Sequence, residues 1–379
     1  MKIVAVEIIR YGRGIRVHAG EVDWCWVRLH TSEGVTGLGE TYPCSDAEAG
    51  VIRRAFAPLL LGRNPLQIDR LWADLFLSIS YQGWAGAEMR ALSAIDIALW
   101  DIAGKTANQP VYQLLGGASR DSIPIYNTCY DHVDFHREPV RLAAELAASG
   151  IQAMKIWPFD PIALAHGGSR ITPAQLHTGT EPLRLIRREF GDAMAVAMEF
   201  HGYWSFPAAV AIARALEPLE PMWLEEMLPQ DNLAVYRDLA ARTRLPLTLS
   251  ERLMTRWGFR ELLDSGAASI IMPDVCWCGG LSEASKIARM AETWYRPVAP
   301  HNCGGPVLHW ASAHLAANVT NLFLLETVRR HYLEDYRGLL TADLVPVAGQ
   351  LPLPRGPGLG VDLDPGVLDR PNVHREWIS

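Results

Sequence analysis

The order of apolar and polar positions divides the chain into two rhythms. Residues 1–10 (MKIVAVEIIR) and 23–30 (DWCWVRLH) alternate with a period near two, which predicts strands. The TSEG of 31–34 makes a turn before a third strand over 35–41, so the chain opens as a small antiparallel meander. The loop between the first two strands, 11–22, is glycine-rich and carries Arg13, Arg16 and His18. Helices follow. SDAE at 45–48 has the spacing of a capping box and starts a helix towards Gly62, and a second helix covers roughly 66–80. A third, over 89–105, places Leu92, Ile95, Leu99 and Ile102 on one stripe. Strands followed by helices predict an α+β domain over residues 1–120.

From Ile123 the rhythm changes. Apolar runs of strand length recur about every 25 residues, near 125, 154, 197, 223, 248, 271, 298 and 323, with amphipathic helices between them. One such helix carries Leu281, Ala284, Ile287, Ala288, Ala291 and Trp294 on a single face. Eight buried βα units predict a parallel sheet that closes into a (β/α)-barrel over 121–330. The tail, 331–379, is expected to pack back on the first domain, with 358–364 as a returning strand. The fold class is therefore α/β, a barrel under an α+β cap that the tail completes. One connection is anomalous: 160–180, with His166, Arg170 and His177, is long for a barrel loop and reads as a lid.

Composition narrows the partners. Of 379 residues 49% are hydrophobic and 20% charged, an ordinary globular balance. A net charge of −7 argues against nucleic-acid or anionic-membrane partners and leaves a small molecule, anionic ones included. The six cysteines are scattered, and the one close pair, Cys276 and Cys278, reads as core packing. Reduced thiols, no signal-peptide core at the N-terminus and no bilayer-length apolar run together predict a cytoplasmic protein.

The chemistry lies at the ends of the apolar runs, where a parallel barrel gathers its active site. AVAMEFH places Glu199 and His201 on one face of a strand, and the runs WLEE and TLSE end at Glu225 and Glu251. Three carboxylates on three consecutive strands converge, and oxygen donors without thiolates suit a hard cation such as Mg²⁺. Asp274 and His301 end the next two runs. A carboxylate beside an imidazole fixes its tautomer and makes a general base. Lys155 ends the second strand, where its ammonium would hold an anionic substrate or transfer a proton, with a pKa lowered by the neighbouring cation. Glu326 ends the eighth, and as a protonated acid it would donate to a developing oxyanion. A cation with a base opposite a second acid describes abstraction of the proton next to a carboxylate.

These residues resemble the enolase superfamily, and within it the mandelate racemase subgroup, over essentially the whole chain. The resemblance is carried by Gly37-Leu-Gly39-Glu40, by SAIDIALWDIAGK at 93–105 leading to Pro110 and LLGG at 114–117, and by Lys155, Glu199, Glu225, Glu251, Asp274, His301 and Glu326 in that order. It implies a modified TIM barrel under a capping domain, Mg²⁺ on Glu199, Glu225 and Glu251, an Asp274–His301 dyad, and a homo-oligomer between dimer and octamer. Racemases of the family carry Lys-x-Lys on the second strand; here the second lysine is Trp157. Glu199-x-His201 resembles the Asp-x-His of galactonate and mannonate dehydratases, whose histidine serves as an acid, with Glu in place of Asp. The resemblance thus implies dehydration of a sugar acid to a 2-keto-3-deoxy acid. His301 would take the α-proton, His201 would protonate the leaving hydroxyl, Lys155 and Glu326 would assist the enediolate, and Trp157 would pack on the substrate. Arg16 and His18 from the cap, and His166 or Arg170 from the long connection, are candidates for the distal end. Cycloisomerisation or epimerisation through the same enediolate is the alternative, and a non-catalytic sugar-acid binder the remoter one.

Overall fold

The computed structural model describes residues 1–379 apart from 15, 18, 19, 22, 44, 82 and 84, and apart from the side chains of 16, 17, 20 and 21. Its first strands are β1 (Ile3–Tyr11), the two-residue β2 (Arg16–Val17) and β3 (Gly20–Glu21), β4 (Trp24–Thr31) and β5 (Thr36–Thr41). The barrel follows with β6 (Ser122–Thr128), β7 (Ala153–Ile156), β8 (Ala195–Glu199), β9 (Leu224–Glu225), β10 (Leu247–Leu249), β11 (Ile270–Ile271) and β12 (Leu325–Thr327). The tail adds β13 (Gln350–Pro352) and β14 (Val373–Ile378).

The meander forms as its alternation predicts, with β1, β4 and β5 antiparallel and Val27 facing both Ile8 and Gly39. Within 11–22, β2 and β3 pair as a short ribbon where a plain loop was expected. The three predicted helices are present in modified form. Ser45–Val51 continues through a π-helical turn, Ile52–Phe56, into Ala57–Leu60, and the other two span Ile68–Ser80 and Ala87–Ala107. The expected capping box does not form, because Ser45 lies inside the helix and its hydroxyl donates to Asp23. Leu92, Ile95, Leu99 and Ile102 are all buried, as their stripe requires.

Gly37 and Gly39 let helix Ala87–Ala107 lie against β5. A Cβ at Gly39 would stand 1.9 Å from the Ala94 carbonyl oxygen, and one at Gly37 2.1 Å from that of Ala98. Asp101 of the same helix accepts from Leu38 N (2.8 Å), Lys105 Nζ (2.7 Å) and Leu359 N (2.7 Å), tying strand, helix and tail together. Glu40 joins cap to barrel: it accepts from Trp26 Nε1 (2.8 Å) and from Val307 N and Leu308 N (3.1 Å each), in the first turn of helix Pro306–Asn318.

The parallel sheet curls in the order β11-β10-β9-β8-β7-β6-β12. The run near 298 supplies the remaining position, the seventh in chain order, through single parallel bridges, Val298 to Ile271 and to Leu322, which link β11 to the segment entering β12. Helix Gly280–Thr293 buries Leu281, Ala284, Ile287, Ala288 and Ala291. Trp294, expected on that face, falls past the last turn and is 38% exposed.

Two expectations are corrected. The strand that returns to the first domain is β14, antiparallel to β1; 358–364 makes only isolated bridges, Gly358 with Pro110 and Leu363 with Leu340. The tail also gives β13 to the barrel, antiparallel on β6. The 160–180 segment is not a long irregular loop but part of two helices, Asp160–His166 and Pro173–Phe190. Thr172 and Gln175 form a capping box at the second. Gly168, at φ +63°, packs so closely on the turn after β8 that a Cβ would stand 1.8 Å from Tyr203 O.

Candidate active site

The barrel strands bring residues at or just beyond their C-terminal ends to one end of the sheet, and the ionisable residues predicted there converge. Glu199, Glu225 and Glu251 are buried, with ligand oxygens all within 4.8 Å of one another. Glu199 Oε1 accepts from Phe200 N (3.0 Å) and His201 N (2.7 Å), while its buried Oε2 has no hydrogen bond. Burial and the charge of Glu199 push the Glu225 carboxyl well above the usual range, against the pull of Lys155. A divalent cation would relieve that repulsion and add a ligand bond to Glu199 Oε2, whose ion pair with Lys155 Nζ spans 3.6 Å. The donor set fits Mg²⁺, which prefers carboxylate oxygens.

Lys155 Nζ lies in the midst of these acids, 2.5 Å from Glu225 Oε1, 2.9 Å from Glu326 Oε1 and 3.6 Å from Glu199 Oε2. Burial disfavours the ammonium, but Glu225, Glu326 and Glu199 outweigh it and hold the group well above its ordinary value. Glu326 differs from expectation. Burial works against its charge, yet Lys155, His301, Thr128 and Asn302 N–H bring it down to about 2. Its Oε1 accepts from Thr128 Oγ1 and its Oε2 from Asn302 N (2.7 Å), so it is a carboxylate anchor rather than a protonated donor.

The Asp274–His301 pair is present, with Oδ2 2.7 Å from Nδ1. His301 Nε2 stands 3.1 Å from Glu251 Oε2, at the edge of the metal site. Burial opposes protonation of the ring, and Glu251 and Glu326 raise it well above its ordinary value. Tyr42, from the end of β5, donates to Asp274 Oδ2 at 2.6 Å. His201 Nδ1 lies 2.5 Å from Asp160 Oδ2. Burial again opposes its charge; Glu199 and Asp160 raise it to about 9.

A cavity of about 360 Å³ opens over these groups, lined among others by Lys155, Trp157, Asp160, His201, His301 and Cys303. That size suits a small-molecule ligand. Trp157 meets His201 edge-on, with ring centroids 6.1 Å apart. Of the distal candidates, His18 and the side chain of Arg16 lie outside the described residues, and His166 and Arg170 are exposed and away from the cavity wall. Arg13 reaches it from the cap, paired with Asp335 at 3.2 Å, Tyr130 and Val328 line it from the barrel, and His331 from the start of the tail. Asp160 and Tyr42 were not foreseen. Neither ends an apolar run, and no spacing marks either as a partner of a histidine.

Two family models match the chain: Enolase C-terminal domain-like over residues 138–367, and Mandelate racemase / muconate lactonizing enzyme, N-terminal domain, over 16–116. The chain belongs to this family of the enolase superfamily. It is 33% identical over 372 residues to a D-xylonate dehydratase of Haloferax volcanii, covering 95% of this chain and 88% of the relative. It is 34% identical over 364 residues to a D-galactonate dehydratase of Ralstonia pickettii, covering 93% and 92%. The crystal structure of an enolase of the mandelate racemase subgroup from Agrobacterium tumefaciens superposes with a TM-score of 0.91 at 43% identity, covering 100% of this chain and 99% of that one. This chain is thus an enolase-superfamily enzyme. Its buried acidic triad is consistent with the Mg²⁺ site typical of that superfamily.

Proposed function

We propose that the enzyme dehydrates a sugar acid, an aldonate or aldarate, to a 2-keto-3-deoxy acid. One observation carries the reading: two imidazoles face the metal site from opposite sides of the barrel. His201 follows β8, the third strand, and His301 follows the seventh position, four places round a ring of eight. Both line the cavity. One can take the α-proton while the other protonates a leaving β-hydroxyl. When bound, Mg²⁺ supplies a Lewis acid for the substrate carboxylate. His301, oriented by Asp274, is the base. Lys155 places positive charge beside the carboxylate, Glu326 holds Lys155, and Trp157 offers an apolar wall for the sugar chain. The dehydratase names of the two relatives support the reaction type.

The described cysteines are free thiols, which supports a reducing compartment such as the cytoplasm. Among the described residues no helix is long and apolar enough to cross a membrane. The division into a cap over 1–120, joined by 331–379, and a barrel over 121–330, and assembly as a homo-oligomer, complete the reading.

Proton NMR in D₂O with Mg²⁺ and a panel of aldonic and aldaric acids tests it. New methylene signals that vanish in His301→Asn and in His201→Asn are expected. Exchange of the α-proton with epimer formation and no methylene signal would replace dehydration by epimerisation. A new isomer of unchanged mass from a lactone would replace it by cycloisomerisation.

A further inference from the structure

We propose that Asp160 is a positioning residue for His201, and that supplying it is what the helical excursion after β7 does for the reaction. The inference rests on the dehydration reading, because it assigns a part in the same elimination. Asp160 opens helix Asp160–His166, is 5% exposed and lines the cavity. Its Oδ2 lies 2.5 Å from His201 Nδ1.

The backbone of His201 is already held. It sits at φ +49°, in the left-handed region that a β-carbon disfavours, directly after the turn out of β8. Its N–H donates to the metal ligand Glu199 (2.7 Å) and its carbonyl accepts from Arg252 Nη2 (3.1 Å). What remains free is the ring. Asp160 takes Nδ1 and leaves Nε2 for the cavity. The same pair of atoms, Asp Oδ2 and His Nδ1, recurs at 2.7 Å between Asp274 and His301. Two carboxylate-held imidazoles therefore face one cavity, one beside the third strand and one beside the seventh.

The chemistry needs both rings in place. The α C–H bond breaks as its proton passes to His301 Nε2, and the electron pair enters the enediolate. That pair then forms the Cα–Cβ double bond as the β C–O bond breaks. The leaving hydroxyl takes a proton from His201 Nε2 and departs as water. Proton transfer of this kind demands a donor within hydrogen-bond reach, and a misplacement of about 1 Å costs about 100-fold. The helix itself does not depend on Asp160: Phe159 beside it is fully buried against Gly179, where a Cβ would stand 2.3 Å from the ring.

The test uses the Mg²⁺-loaded enzyme and the sugar acid it dehydrates. Asp160→Ala should lower kcat for dehydration about 100-fold with KM changed less than about threefold. Exchange of the α-proton in D₂O should persist, because His301 is untouched. Asp160→Asn, whose amide oxygen can still accept from Nδ1–H, should recover about tenfold of the loss. Asp160→Ala combined with His201→Asn should be no slower than His201→Asn alone, the signature of two residues acting as one unit. Dehydration within twofold of wild type in Asp160→Ala, or additive losses in the double variant, would overturn the proposal and leave the dehydration reading standing. Equal loss of exchange and dehydration, with a lowered Mg²⁺ affinity, would reduce Asp160 to a structural prop. A wild-type enzyme that exchanges but never eliminates would overturn the dehydration reading itself, and with it the acid role of His201.

Discussion

At the scale of single residues, the site depends on groups that hold other groups. Asp274 accepts from Tyr42 Oη and pairs with His301 through one oxygen, while its Oδ1 accepts from Cys276 N at 2.7 Å. Tyr42→Phe removes one of these without opening a void. It should cost about 1 kcal/mol in urea denaturation and slow α-proton exchange by about tenfold, as the dyad loosens. An unchanged exchange rate would show that Asp274 holds the ring unaided. The acidic triad gives a second expectation. Mg²⁺ at about 100 times its Kd should stabilise the folded chain by about 2.7 kcal/mol. Glu251→Gln, which removes one of three ligands, should abolish most of that shift in a thermal melt. Legibility at this scale follows from geometry. The triad, Lys155, Asp274, His301 and Glu326 could be read because each ends a strand-length apolar run. Asp160 and Tyr42 could not, because their partners lie 41 and 232 residues away and only folding brings them together. Glu326 shows a further limit: its role as a carboxylate is set by Lys155, Thr128 and Asn302, whose approach no local pattern reveals.

At the scale of elements, the junction between strand β5 and helix Ala87–Ala107 carries the capping domain. The helix was legible from its stripe, and the strand from its alternation. That the two touch through backbone was not, since a strand reading of 35–41 does not say what packs on Gly37 and Gly39. The structure gives them a reason, namely carbonyl oxygens that leave no room for a methyl group. Gly39→Ala must push the helix off the strand or break the strand's register with Val27. Overpacking of backbone against backbone has no flexible side chain to absorb it, so a loss of about 3 kcal/mol or more is expected in thermal or urea unfolding. Gly34→Ala serves as the control: that glycine has φ +79° and open space around it, so its cost is local to the turn. Equal losses from both variants would mean that the close approach does not govern how the cap is seated. The failed strand at 358–364 belongs to the same scale. Leu359 there joins the cap helix to a barrel helix, its N–H bound by Asp101 and its carbonyl by His314, and β14 takes the place beside β1.

At the scale of the whole molecule, cap, barrel and tail meet on helix Pro306–Asn318, and that junction makes stability depend on pH. Glu40 of the cap receives the first turn of the helix, and His309 and His314 connect its body to later chain. His309 Nε2 donates to Leu344 O (2.9 Å) while Nδ1 accepts from Asn302 Nδ2 (3.1 Å). His314 Nε2 donates to Leu359 O (3.0 Å) while Nδ1 accepts from Tyr112 N (3.2 Å). In each ring one nitrogen must carry a proton and the other must not, so the neutral form is the one that fits. Burial reinforces this and lowers both to about 4. An unfolded histidine titrates near 6.5. Between about 6.5 and 4 the unfolded chain therefore binds protons that the folded chain refuses, and stability falls as pH falls. The shift corresponds to about 3 kcal/mol for each ring at the bottom of the window. Glu40, whose carboxyl burial pushes up to about 7, takes up a proton in the folded state over the same range and acts in the opposite sense. Urea midpoints measured from about pH 7 down to about pH 5 give the net of these opposing effects for the wild type. His314→Gln, which can keep a donor to Leu359 and an acceptor for Tyr112 without a titrating group, should lose less stability than the wild type over the same range. Parallel curves for the two proteins would place the acid sensitivity elsewhere. A flatter curve for His314→Gln would locate it on the helix that joins cap, barrel and tail, so that one acid-sensitive helix would set how firmly the cap stays seated on the catalytic end.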